Sequence, residues 1–171
     1  RRHGGVGAGP ALGKKWEHSR FRSPYLRHGL WDAGYAVDTM ETAVPWTATT
    51  HTMQAMEEAG RTAFAAFGER CHTYTHLSHV YATGSSVYTT FVFRLAPDFA
   101  GNWARWIALK RAVSEAIVAS GGTISHQHGV GRDHAPYLAA EKGEVGLAAL
   151  ADVIARFDPD GRLNPGVLIE T

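Results

Sequence analysis

Residues 121–132 read GGTISHQHGVGR, and this short run constrains the chain more than any other. Two imidazoles stand two positions apart and a glycine turn follows at once. In an extended strand, side chains two apart leave the same face about 6 to 7 Å from each other. The pattern therefore predicts a strand with His126 and His128 projecting together, while Gly129 and Gly131 let the backbone turn and approach a ligand closely. Imidazole titrates nearest neutrality of the side chains, so the pair suits proton transfer, hydrogen bonding to a cofactor, or metal ligation. A polar loop with two solvated histidines is the competing reading of the same letters.

The flanking pattern supplies the rest of the frame. A helix is expected over 102–119, with Trp103, Trp106, Leu109, Val113 and Ile117 inward and Gly121-Gly122 as its stop. Upstream, Ser23-Pro24 opens a short helix that carries Arg27 and ends at Gly29 or Gly34, and residues 35–44 are β-compatible. Pro45 and Thr47 announce a long helix with Met53, Met56, Gly60, Ala63, Phe64 and Phe67 on one face. Two β-rich runs, 71–81 and 86–95, flank a turn at 82–85 and read as a hairpin. In the second run Val87, Thr89, Phe91, Phe93 and Leu95 share a face, which sends Tyr88 to the other. Downstream, Pro136 starts a short turn and 143–157 forms a helix with Leu147, Leu150, Val153, Ile154 and Phe157 inward. DPDG then turns the chain into an extended tail bent at Asn164-Pro165-Gly166. The order helix, strand, helix, hairpin, helix, strand, helix implies an α+β class: an antiparallel sheet with helices packed mainly on one face, and the other face free for a partner or cofactor.

Composition narrows the function. The chain has 171 residues, enough for one domain with its own core. A formal net charge of +1 and no dense basic run beyond Arg1-Arg2 argue against nucleic acid as a partner. Cys71 stands alone, so neither a disulfide framework nor a thiolate cluster is expected. With no membrane-length apolar run, a cytoplasmic protein is expected, with peripheral membrane association allowed. The opening Arg1, with no Met before it, reads as a piece of something longer. The glycine-rich residues 1–16 read as a flexible lead-in before a domain over 17–171, and Lys15 after Gly13-Lys14 does not complete a phosphate-binding P-loop. His72, His76 and His79 cannot close on one ion, because residues four apart in a strand are about 13 Å apart. His126 and His128 lack a third donor at convincing spacing, so no metal is expected.

Four ordered blocks, PYLRHGLWDAGYAVDTMETAVPW, HVYATGSSVYTTFVF, ASGGTISHQHGVGRDHAPYL and FDPDGRLNPGVL, resemble the C-terminal half of the FAD-linked oxidase superfamily that includes vanillyl-alcohol oxidase. The resemblance spans about residues 16–168. The SxxHGxG and DPxxxLNPG pieces are shared with D-lactate and glycolate dehydrogenases, whereas YLR, ETAVPW and GSSVY favour the alkyldihydroxyacetonephosphate synthase branch.

The resemblance implies a ferredoxin-like cap domain whose large sheet lies over a flavin. FAD would be held mainly by an N-terminal FAD-binding domain of the same polypeptide, and a homodimer is compatible with it. It implies exchange of acyl for alkyl on a glycerone phosphate through a flavin N5 adduct, a role the cofactor supplies. By motif match Tyr88 is the acid/base hydroxyl, and Arg27 pairs with the anionic, lipid-like substrate. His126 and His128 are catalytic and border the flavin, while Asn164 touches the cofactor. The chain alone is expected neither to hold FAD tightly nor to turn over. Gln127 stands where the synthases carry a middle histidine, and His28 where they carry an acid; an amide cannot shuttle protons at neutral pH. Two alternatives stay open: a FAD-linked 2-hydroxyacid or alcohol dehydrogenase passing hydride to flavin, and a non-catalytic or metal-binding α+β module unrelated to flavin.

Overall fold

The computed structural model describes residues 2–7 and 9–169; Arg1 and Ala8 of the expected lead-in lie outside them. Three strands form one antiparallel sheet in the order β1-β3-β2, where β1 is Tyr35–Pro45, β2 is Cys71–His76 and β3 is Gly84–Arg94. β3 is central because its alternation serves both neighbours. Val87, Thr89, Phe91 and Phe93 are all buried on one face, where Met40, Thr42 and Val44 of β1 join them. The parity read from the sequence is the parity observed.

Helix α3 (Trp46–Ala65) begins as the chain leaves Pro45, whose extended φ and ψ lie outside the helix. Met56, Gly60 and Phe64 face the sheet. A Cβ on Gly60 would stand 2.6 Å from the Phe91 ring, so glycine is what lets α3 lie this close to β3. Thr49 and Thr52 are buried in the same helix, and each hydroxyl donates back to a carbonyl four residues earlier, at 3.1 and 2.9 Å. Helix α4 (Phe99–Ala119) is capped by Asp98, whose carboxylate accepts from Gly101 N at 2.7 Å. Its Leu109, Val113 and Ile117 are fully buried, and α4 packs along α3. Both helices cover one face of the sheet. The other presents Val37, Thr39 and Glu41 of β1, Tyr88, Thr90 and Val92 of β3, and His72, Tyr74 and His76 of β2, in cross-strand rows.

The structure departs from the sequence reading in several places, and Trp103 and Phe67, both expected inward, are exposed. Residues 11–16, expected as part of a flexible lead-in, belong to helix α1 (Ala11–Ser19), which buries none of its side chains; a 3-10 turn leads from it into α2 (Ser23–Asp32). The expected strand through His126 and His128 does not form. Gln127 adopts φ 62 there, in the left-handed region, which breaks an extended run, and residues 121–134 are a loop. β2 stops at His76, and residues 77–83 arch away from β3 except for a single bridge between Val80 and Ser85. Helix α5 runs over Leu138–Phe157 with a kink at Gly143, where the sequence placed its start. Val153 and Phe157 are exposed and, with Ile154, line a groove closed by the tail instead of joining the core.

Candidate functional site

The loop at 121–134 is not free. Gly122, which follows α4, has no room for a Cβ beside Thr42, and the chain then runs along β1 as Thr123 N and His126 N donate to Ala43 O and Glu41 O, at 3.4 and 3.1 Å. Thr42 Oγ1 donates to Thr123 O at 2.8 Å, and Glu141 of α5 accepts from Ile124 N at 2.7 Å. Burial raises the Glu141 carboxyl, but its bonds from Lys142, Ile124 and Thr123 outweigh this and hold it below its ordinary range. Pinned on both sides, the loop delivers its histidines to the open face of the sheet.

Glu41 is the centre of what gathers there. It is 4% exposed, and its two carboxylate oxygens serve different partners. Oε1 accepts from Ser78 Oγ, whose hydroxyl is in turn 2.6 Å from Ser86 Oγ. Oε1 also lies 3.3 Å from His126 Nδ1 and 3.6 Å from His79 Nδ1, whereas Oε2 lies 3.3 Å from His128 Nε2. Burial pushes the Glu41 carboxyl up. The bonds from Ser78 and the close approach of His126, with Ser86 beyond, more than offset it and keep the group ionised below its usual range.

The two imidazoles therefore do not point the same way, as the strand expectation required. The left-handed Gln127 between them turns His126 toward the arch at 77–83, where Tyr81 OH is 3.0 Å from His126 Nε2. His128 turns toward Tyr88, which it meets edge-on with ring centroids 5.5 Å apart. Tyr88 is also flanked by His76, at 5.0 Å between centroids. Tyr88, His126 and His128 are thus brought together around one carboxylate.

Arg27 and Asn164 are not. Arg27 is exposed on α2 and lines a pocket of about 560 Å³ with Trp31, Trp103 and Trp106, beside Ala36 and Asp38, which belong to the helix-covered face of β1. The Asp38 carboxylate in that pocket is already engaged by Trp106 Nε1 at 2.8 Å and Lys110 Nζ at 3.3 Å. The sequence could place Arg27 on a helix, but not the side of β1 on which that helix lies. Asn164 sits in the tail at φ 48, in a turn held to the glycine loop by Arg132 Nη2 donating to Pro165 O at 2.8 Å and Leu168 N donating to Gly131 O at 3.2 Å. One member of the site, Glu41, was missed in the sequence, and His79 was weighed there only with His72 and His76 and set aside as a ligand. The expectation of no metal rested on a missing third donor beside His126 and His128; donor atoms of Glu41, His79 and His126, without His128, lie within 4.8 Å of one another. Glu41 occupies an open-face position of β1 beside buried neighbours, and a carboxylate there was the available signal.

The chain matches the family of FAD linked oxidases, C-terminal domain, over residues 8–168, and it belongs to that family. Among particular proteins, it is 27% identical over 161 residues to the alkyldihydroxyacetonephosphate synthase of Trypanosoma brucei brucei, covering 94% of this chain and 26% of that protein. It is 29% identical to the Dictyostelium discoideum protein of the same name, over 96% of this chain and 27% of the relative. Glycolate oxidase subunit GlcD of Escherichia coli K12 is 39% identical over 71 residues, 42% of this chain and 14% of GlcD. A solved alkyldihydroxyacetonephosphate synthase superposes with a TM-score of 0.60 at 22% identity, over 85% of this chain and 23% of that one, a likeness of fold. The chain spans about a quarter of the length of the synthases it matches. Among the described residues, no helix is long and apolar enough to cross a membrane.

Proposed function

We propose that this chain is the substrate-binding cap of a FAD-dependent enzyme of the alkyldihydroxyacetonephosphate synthase type, exchanging acyl for alkyl on a glycerone phosphate. FAD would be held mainly by an N-terminal domain of the same polypeptide. The observation that carries this reading is the row Glu41, His128 and Tyr88: a buried carboxylate beside an imidazole, which in turn meets a phenol on the uncovered face. The face also suits a flat heteroaromatic ring. Hydroxyl, phenol and imidazole groups line its rows, and Tyr74 and His76 keep aromatic surface exposed. When bound, FAD supplies an electron-poor ring system able to take electron density from a substrate carbon.

The residues of the chain then have separable tasks. Glu41 stays ionised and holds the Nε2 edge of His128, leaving Nδ1 to exchange a proton. Tyr88 gives or takes the proton of the substrate oxygen, with His128 against its ring as relay. His126, tied to Tyr81, fixes the loop that carries His128. Asn164 borders the cofactor from the tail. Arg27 offers a fork for the phosphate where substrate extends past the β1 edge into the pocket at Trp31.

The test is label exchange in the polypeptide joined to its FAD-binding domain. Labelled fatty alcohol should enter product from an acyl glycerone phosphate donor, with no net flavin reduction. The similarity to GlcD supports a second reading, hydride transfer from a 2-hydroxyacid to flavin. Anaerobic bleaching by D-lactate or glycolate without alcohol incorporation would establish that one instead.

A further inference from the structure

His126 stands where three possible metal donors converge. Its Nδ1 is buried without a hydrogen-bond partner, yet it lies 3.3 Å from an oxygen of an ionised carboxylate. Tyr81 OH engages the opposite nitrogen at 3.0 Å. In the tautomer with Nε2–H donated to Tyr81, Nδ1 offers its lone pair on the side of the Glu41 carboxylate, which is the form a ligating imidazole takes. A cation between the two atoms would satisfy both. His79 brings a third donor to the same point, its Nδ1 3.6 Å from Glu41 Oε1.

We propose that Glu41, His79 and His126 form a binding site for a divalent transition metal, with Zn²⁺ the best-matched ion. Two imidazoles and one carboxylate are a borderline-soft donor set that suits zinc, and three protein ligands leave a fourth position for water. Zinc–nitrogen bonds of about 2.0 Å put tetrahedral donor atoms about 3.3 Å apart, so the donors, all within 4.8 Å of one another, reach it by small side-chain rotations. A carboxylate oxygen has lone pairs for both the metal and the Ser78 hydroxyl. Tyr81 plays the part of the outer partner that fixes the tautomer of a ligating histidine. The ion sits on the Oε1 side of Glu41, and His128 stays with Oε2, so metal binding does not consume the imidazole beside Tyr88. Its effect is to clamp β1, the arch at 77–83 and the glycine loop together. The inference stands apart from the flavin reading, because it concerns occupancy and not turnover.

Calorimetric titration of the chelator-stripped chain with Zn²⁺ alone tests it, in the wild type and in His79→Ala, His126→Gln and His72→Ala. His79 and His72 are exposed enough to be replaced without loss of the fold, which circular dichroism verifies. The expected result is one tight site in the wild type and in His72→Ala. Each cluster variant should weaken it more than about tenfold, the loss that disturbing an outer partner alone can bring. Zn²⁺ should also raise the Tm of the wild type and not that of His79→Ala. The proposal is overturned if the wild type shows no one-to-one site, if both cluster variants bind as tightly as the wild type, or if His72→Ala weakens binding as much as they do.

Discussion

Glu41 and Tyr88 are direct partners across β1 and β3, and His76 of β2 continues their row, so a carboxylate, a phenol and an imidazole stand abreast on the uncovered face. Loop 121–134 adds His126 and His128 on either side of the carboxylate. The sheet thus fixes the acid and the phenol through backbone pairing, and only the histidines depend on a loop. A site built this way separates groups that do chemistry from groups that hold the loop in place, and substitutions should tell them apart.

Tyr88→Phe removes a hydroxyl and keeps the ring contacts to His76 and His128. Turnover of the FAD-bearing polypeptide should fall on the order of 10²-fold or more, as for loss of a general acid or base. The Tm should move little. A fall in Tm that accounts for the activity loss would assign Tyr88 a packing role.

Glu41→Ala should act on stability as well. The carboxylate is buried and accepts from Ser78, and His126 and His128 face it, so its removal leaves several polar groups without their counterpart. A loss of about 1–3 kcal/mol is expected, the usual cost of unsatisfying buried polar groups. Urea denaturation should show a lower midpoint at unchanged slope. Amide exchange should rise over 121–134 before it rises in β3, since the loop's His126 and His128 lose the carboxylate they face.

How much of this was readable in the letters depends on range. The alternation of Val87, Thr89, Phe91 and Phe93 placed the core face and sent Tyr88 to the other side, because parity is a local property. The stripe of Met56, Gly60 and Phe64 placed α3 for the same reason. The histidine motif was found, but its geometry was not: Gln127 takes a left-handed conformation that the alternating letters hide, so two rings expected side by side point to different partners. Glu41 escaped notice and His79 was set aside on strand spacing, because they meet His126 only through sheet register and an arched loop, neither of which leaves a periodic trace. Arg27 was placed on its helix correctly, but the packing of α2 beside β1 is a tertiary choice.

Acid should weaken the fold in two stages. His134 is 7% exposed, and burial, together with the nearby Lys110 charge, pushes its imidazole below the ordinary value of 6.5 despite contacts to Gly129 O and Val130 O. The unfolded chain therefore binds a proton there before the folded one does, and stability falls as pH drops from about 6.5 through the lower folded value. Glu41 and Glu141, both also held low, add a second loss as pH falls below their ordinary 4.5. Urea midpoints measured between pH 8 and 4 should decline in that order, and His134→Gln should flatten the first step while leaving the second. A first step unchanged in His134→Gln would assign it to another group.

Gly60→Ala tests the seam between α3 and the sheet. The added methyl would meet two atoms of the Phe91 ring at 2.6 and 2.7 Å, with Thr73 Cγ2 at 3.4 Å. Phe91 is fully buried between strand neighbours and cannot swing away, so the helix must lift or the ring must leave its rotamer. Alanine is the better helix former by about 1 kcal/mol, which offsets part of the cost. Overpacking of this kind costs about 1–3 kcal/mol, so a net loss is expected. Gly60→Ala together with Phe91→Leu should recover part of what each change costs alone, because the smaller side chain vacates the volume that the methyl needs. Strict additivity of the two losses in a double-mutant cycle would show that the glycine is not there for the ring.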